Sequence, residues 1–126
     1  YAANPLACAV GLASLDLFHE EDVLARIGRL EQQLREGLEP LRALPIVGDV
    51  RVIGGVGVLE LVSDAATKAS GGYLDEIGPR LAAACLERNL LIRPLGSVMY
   101  FMPPYVITDD ETAWALDTIS TVLRTI

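Results

Sequence analysis

A chain of 126 residues is long enough for one domain with a true core and too short for two large ones. Seventeen acidic residues against ten basic ones leave a net charge of -7 at pH 7, with no basic cluster, which argues against a nucleic-acid partner. Hydrophobic residues make up 52%, a high share for a free-standing domain, which predicts apolar surface covered by a partner or further chain. No unbroken apolar run approaches membrane-spanning length, so no membrane segment and a cytoplasmic location are expected. Cys8 and Cys85, each beside alanines, read as buried free thiols rather than a disulfide framework. One histidine and two isolated cysteines cannot close a metal site, and none is predicted. The chain opens at Tyr1 without a methionine, which reads as a cut inside a larger protein.

In chain order, Asn4 is a good N-cap and Pro5 suits the first helical position. They predict a helix to about Phe18. Its apolar residues fall on more than one face, so it should be packed on several sides. His19 to Asp22 breaks the pattern, and His19 reads as an exposed helix-end residue. A second helix is predicted from about Asp22 to Leu44. Val23, Ile27, Leu30, Leu34, Leu38 and Leu41 recur at threes and fours, and Pro40 allows a kink near the end. Asp49–Ile53 and Val56–Val62 read as strands joined at Gly54-Gly55, either an antiparallel pair or one bent strand. That glycine cluster lacks the pattern of a phosphate loop.

Ser63 to Tyr73 reads as a loop, followed by a short turn from Leu74 to Ile77. Pro79 opens a helix that Arg80 to Arg88 continues, with Asn89 in the left-handed cap position. Leu90–Arg93 reads as a strand, Pro94–Ser97 as a turn and Val98–Met102 as the last strand, stopped by Pro103-Pro104. Thr108 and Glu111 form a capping box for the final helix, whose apolar positions include Trp114, Leu116, Ile119, Val122 and Leu123. The order predicts an α+β fold: a three- or four-stranded, mostly antiparallel sheet with helices on one face.

The chemistry concentrates in Ile92–Tyr105. Arg93 ends one apolar run and Tyr100 lies inside the next. An arginine framed by prolines and Gly96 loses little further entropy when it clamps a carboxylate, so Arg93 is the candidate anion-binding residue. The alternatives are a solvated strand-end arginine or an ion-pair partner of Glu60 or another nearby acid.

Asn4-Pro5-Leu6-Ala7-Cys8-Ala9, Asp49-Val50-Arg51-Val52-Ile53-Gly54, and Arg93-Pro94 followed by Tyr100-Phe101-Met102-Pro103-Pro104-Tyr105 resemble one family. It is the adenosylmethionine-8-amino-7-oxononanoate aminotransferases, within the class-III aminotransferases. The resemblance implies the C-terminal small domain of a type-I pyridoxal-phosphate fold, with residues 1–20 continuing from an absent large domain and 21–126 forming the small domain. It implies a homodimeric enzyme of biotin biosynthesis that uses S-adenosylmethionine as amino donor and small-molecule substrates. It assigns Arg93 to the substrate carboxylate and Tyr100 to the substrate pocket. The Schiff-base lysine and all pyridoxal 5'-phosphate contacts would lie upstream, so this chain has no catalytic, cofactor-binding or metal residue to assign and is expected to be inactive alone. Lys68, the only lysine, sits in a polar loop and is no Schiff-base candidate. Two departures stand out: Leu95 where the family commonly has an aromatic, and a longer Ser63–Tyr73 loop. They leave open a class-III enzyme with another carboxylate substrate. A different class of reading is a stand-alone regulatory domain that grips a small acid.

Overall fold

The computed structural model describes residues 3–63 and 77–126. Lys68, the predicted loop beyond Ser63 and the predicted turn from Leu74 as far as Glu76 lie outside the described residues. The first helix, α1, runs Pro5–Glu20, two residues past the predicted end, so His19 lies in its last turn. The Asn4 side chain caps it by accepting from the Leu6 and Ala7 amides at 3.0 and 3.1 Å. None of its residues is buried. The packing expected on several sides is therefore absent among the described residues, and Cys8 is exposed rather than buried.

The second helix, α2, spans Val23–Leu38 and passes into a 3-10 turn over Glu39–Ala43. Pro40 explains the change, because it has no amide to continue the α-helical ladder. The strands are β1, Val47–Ile53, and β2, Val56–Leu61, paired antiparallel around Gly54-Gly55. The third helix, α3, covers Ile77–Leu86, so Pro79 lies inside it rather than at its first position. Asn89 adopts the expected left-handed conformation, with φ 63°. The last strand, β3, is Val98–Phe101, and the last helix, α4, is Asp109–Thr125 with the predicted capping box formed.

The sheet has three strands in the order β1-β2-β3, each antiparallel to its neighbour. Leu90–Arg93 is not a strand of it. The Leu90 amide bonds to the Cys85 carbonyl and ties the start of the segment to the end of α3, while a lone bridge between Leu95 and Val98 ties its other end to β3. Held at both ends, the segment is extended without a ladder. Its burial still alternates: Leu90 and Ile92 are buried, and Leu91, Arg93 and Leu95 are exposed.

Register explains which face the helices cover. Val50, Leu59 and Met99 form one cross-strand row, and Val52, Gly57 and Phe101 another. These rows join Leu30, Leu34 and Leu38 of α2, Leu81 and Cys85 of α3, and Ile119 and Val122 of α4 in one core. Cys85 is buried as expected, and burial pushes its thiol pKa up. A Cβ on Gly57 would run into Leu38, so glycine is what lets α2 lie close to β2. Trp114, one of the apolar positions of α4, stays half exposed. Truncating a buried leucine such as Leu34 or Leu59 costs about 2–5 kcal/mol, against about 0–1 for an exposed ion pair, so this core dominates the stability.

Candidate functional site: the open face of the sheet

The alternate rows, Asp49–Glu60–Val98 and Arg51–Val58–Tyr100, face away from the helices. The Tyr100 side chain therefore stands on the open face, 38% exposed. Arg93 precedes the turn that leads into β3. Leu95 and Val98 exchange two backbone hydrogen bonds, of 2.8 and 3.0 Å, around the two-residue turn Gly96-Ser97. Gly96 sits there at φ 58°, which a side chain would strain. Paired residues of an antiparallel turn share a face, so Leu95 lies with Val98 on the open side. Two residues back is Arg93, exposed and not paired with β3.

Of the two residues singled out from the sequence, Tyr100 lies in β3 and Arg93 on the exposed, unpaired segment before the tight turn. Among the described residues the Arg93 side chain makes no hydrogen bond or ion pair. The Glu60 carboxylate is taken elsewhere, by Arg51 at 3.0 Å, so the alternative of an Arg93–Glu60 pair is not what the fold adopts. Arg51 also holds Asp49 at 2.8 Å, and Asp49 bonds Arg42 at 2.9 Å, which in turn bonds Glu39 at 2.7 Å. This chain of charges stitches the 3-10 turn to β1 and β2. The Arg42 hydrogen bond is the largest influence holding the Asp49 carboxyl below its ordinary pKa, and Glu60 is the largest influence raising that of Arg51. Reading the sequence missed this network. Its signal was the charged residues Asp49, Arg51 and Glu60 at alternate places in otherwise apolar strands.

The hairpin tip beside this face is clamped from α2. Glu31 accepts from the Gly54 amide at 3.0 Å and from Arg35 at 2.6 Å, and Arg35 also donates to the Val52 carbonyl at 2.9 Å. The larger hollows lie away from Arg93 and Tyr100. A groove of about 510 Å³ runs between α2 and α4, lined by Gln33, Gly37, Leu116 and Arg124. An apolar one of about 520 Å³ lies beside Trp114, Leu91 and Met102. Neither Arg93 nor Tyr100 lines either of these hollows. None of the described residues is a lysine, and Gly54-Gly55 lies in a hairpin rather than at a helix N-terminus. Among them no group of three or more metal-binding side chains assembles.

A family profile described as aminotransferase class-III matches residues 1–123. The adenosylmethionine-8-amino-7-oxononanoate aminotransferase of Synechococcus elongatus is 44% identical over 88% of this chain and 24% of its own length. Its namesake from Geobacter sulfurreducens is 36% identical over 100% of this chain and 28% of its own. The chain thus spans about a quarter of these relatives. Among solved structures, the omega transaminase of Pseudomonas jessenii in complex with PMP is 29% identical, with a TM-score of 0.87 over 96% of this chain and 27% of that one.

Proposed function

Because this chain belongs to the class-III aminotransferases, we propose that it is the C-terminal part of an enzyme that moves the amino group of S-adenosylmethionine to 8-amino-7-oxononanoate in biotin biosynthesis. In this reading residues 1–20 continue from a large domain and 21–126 form the small domain. The working unit is a cytoplasmic homodimer of the full-length polypeptide. The single observation that carries the reading is Arg93, an exposed arginine without a hydrogen-bond or ion-pair partner among the described residues, two residues before the turn into the strand that holds Tyr100. The relatives that bear this enzyme's name support the choice of substrates.

The acceptor is a long acid with its reacting carbonyl near one end and a carboxylate at the other. Arg93 meets both carboxylate oxygens with parallel, charge-assisted N–H donors. Leu95, Val98 and Val58 supply apolar surface for the methylene chain, and Tyr100 offers a ring wall with a polar tip. Binding energy gathered at the distal end holds the reacting end in place. When bound by the rest of the polypeptide, pyridoxal 5'-phosphate would supply the amino-group carrier between the two half-reactions. Closure by that remaining chain removes water from around the Arg93 ion pair and strengthens it.

The test is substrate profiling of the full-length protein with S-adenosylmethionine as donor. The expected kcat/KM for 8-amino-7-oxononanoate exceeds that for short 2-oxo acids by about 100-fold or more, as a site built around distal groups requires. Preference for a different carboxylate acceptor assigns the chain to another class-III aminotransferase. Leu95 is the observation on the side of that outcome, since it puts an aliphatic side chain, 61% exposed, two residues from Arg93.

A further inference from the structure

The backbone on either side of Arg93 is held by packing. Ile92, before it, is buried in the core. Pro94, after it, is half-buried, and its ring fixes φ. Against Pro94 lies Gly78, the second residue of α3, itself buried. A Cβ on Gly78 would lie 2.6 Å from the Gly96 carbonyl oxygen and 3.4 Å from the Pro94 Cβ.

No conformational need explains a glycine at this place. Gly54 and Gly96 have the positive φ that disfavours other residues, and Gly78 does not. In a helix alanine is ordinarily better than glycine, because it loses less backbone freedom on folding. What Gly78 supplies is closeness: the first turn of α3 seats directly on the Pro94–Gly96 turn. The atom in the way of a side chain is a backbone oxygen, which cannot rotate aside. Gly37 is the contrast. Its Cβ would also come within 2.6 Å of an atom, but that atom is Leu116 Cδ1, the end of a flexible side chain.

We infer that Gly78 is a positioning residue for the acceptor: its bare backbone lets α3 brace the Pro94–Gly96 turn, and the brace fixes where Arg93, one residue before that turn, presents its guanidinium. The inference rests on the carboxylate-binding reading of Arg93 given above. Gly78 needs no contact with the substrate to act in this way. A shift of about 1 Å in a group that orients a substrate costs up to about 100-fold.

The experiment uses the full-length protein and follows each half-reaction separately. Gly78→Ala is expected to lower acceptor kcat/KM about tenfold or more, with the donor half-reaction changed less than about twofold. Gly37→Ala, matched in closeness but met by a movable side chain, is expected to leave both half-reactions within about twofold. Gly78→Ala combined with Arg93→Ala is expected to match Arg93→Ala alone, because a residue that acts through Arg93 then has nothing left to position. Pro94→Gly removes the ring from the other side of the contact and is expected to reproduce the Gly78→Ala pattern; it carries the test if Gly78→Ala does not fold. Four results overturn the inference: unchanged acceptor use in Gly78→Ala (or, where that does not fold, in Pro94→Gly), equal loss in both half-reactions, an equal acceptor loss in Gly37→Ala, or a combined loss that is the product of the two single ones. Arg93→Ala alone reports on the underlying reading, which fails if that change leaves acceptor use intact.

Discussion

The roles proposed for Arg93 and Tyr100 separate by what each loses on substitution. Tyr100→Phe keeps the ring on the open face and removes one hydroxyl. A lost neutral hydrogen bond is worth about 1 kcal/mol, so a drop of about fivefold in acceptor kcat/KM is expected, with the donor half-reaction unaffected. A loss as large as that of Arg93→Ala would give the hydroxyl a direct part in the chemistry. Both residues are singled out by the sequence because polar-tipped side chains stand out in an apolar, proline-framed stretch. The ion pair of Glu60 is not legible there. Its sequence neighbours are apolar, and its partner Arg51 lies nine residues away across a hairpin, so only the register brings them together.

At the scale of elements, the capping box of α4 is a local device with a local test. The Thr108 hydroxyl accepts from the Glu111 amide at 3.2 Å, and the Glu111 carboxylate accepts from the Thr108 amide at 2.9 Å. Thr108→Ala should cost about 1 kcal/mol, read as lower hydrogen-exchange protection in the first turn of α4. The backbone hydrogen bond from Thr108 is the largest cause holding the Glu111 pKa below its ordinary 4.5. A depressed carboxylate stabilises the fold above its unfolded pKa, and that contribution is lost as pH falls through the folded value. First-turn protection should therefore decline in the parent as pH falls below the ordinary carboxyl value of 4.5, and decline less in Glu111→Gln. An identical decline in both would place the acid sensitivity elsewhere, with Glu31 and Asp49, whose pKa values are also lowered, as the next candidates. The caps were readable from sequence because they depend on side chains three residues apart. The Leu90–Arg93 segment was misread because alternating burial looks like a strand, whereas strand pairing is decided by distant tethers at Cys85 and Val98.

For the whole molecule, α1 is the telling feature: Leu6 is 75% exposed, Val10 62% and Leu12 65%. An all-round apolar helix without a buried residue is matched by a chain that spans about a quarter of its relatives. The isolated 126-residue chain is expected to self-associate and to bind an apolar dye, as uncovered patches of this kind do. A compact monomer at high concentration in sedimentation, without dye binding, would count against it. The sequence announced this through its hydrophobic excess, but it read α1 as a packed helix, since burial in a partner and burial within the chain leave the same composition. The central claim, that Arg93 grips the acceptor's carboxylate within a larger transaminase, is tested most directly by single-turnover stopped-flow of each half-reaction in full-length Arg93→Ala. Losing an ionic hydrogen-bonded pair costs about 2–5 kcal/mol, so the acceptor half-reaction should fall some 30- to 4000-fold in specificity. Arg93→Lys should recover only part of it, because an ammonium lacks the planar fork. The half-reaction with S-adenosylmethionine should change far less. Equal loss in both halves, or loss in neither, would contradict the account.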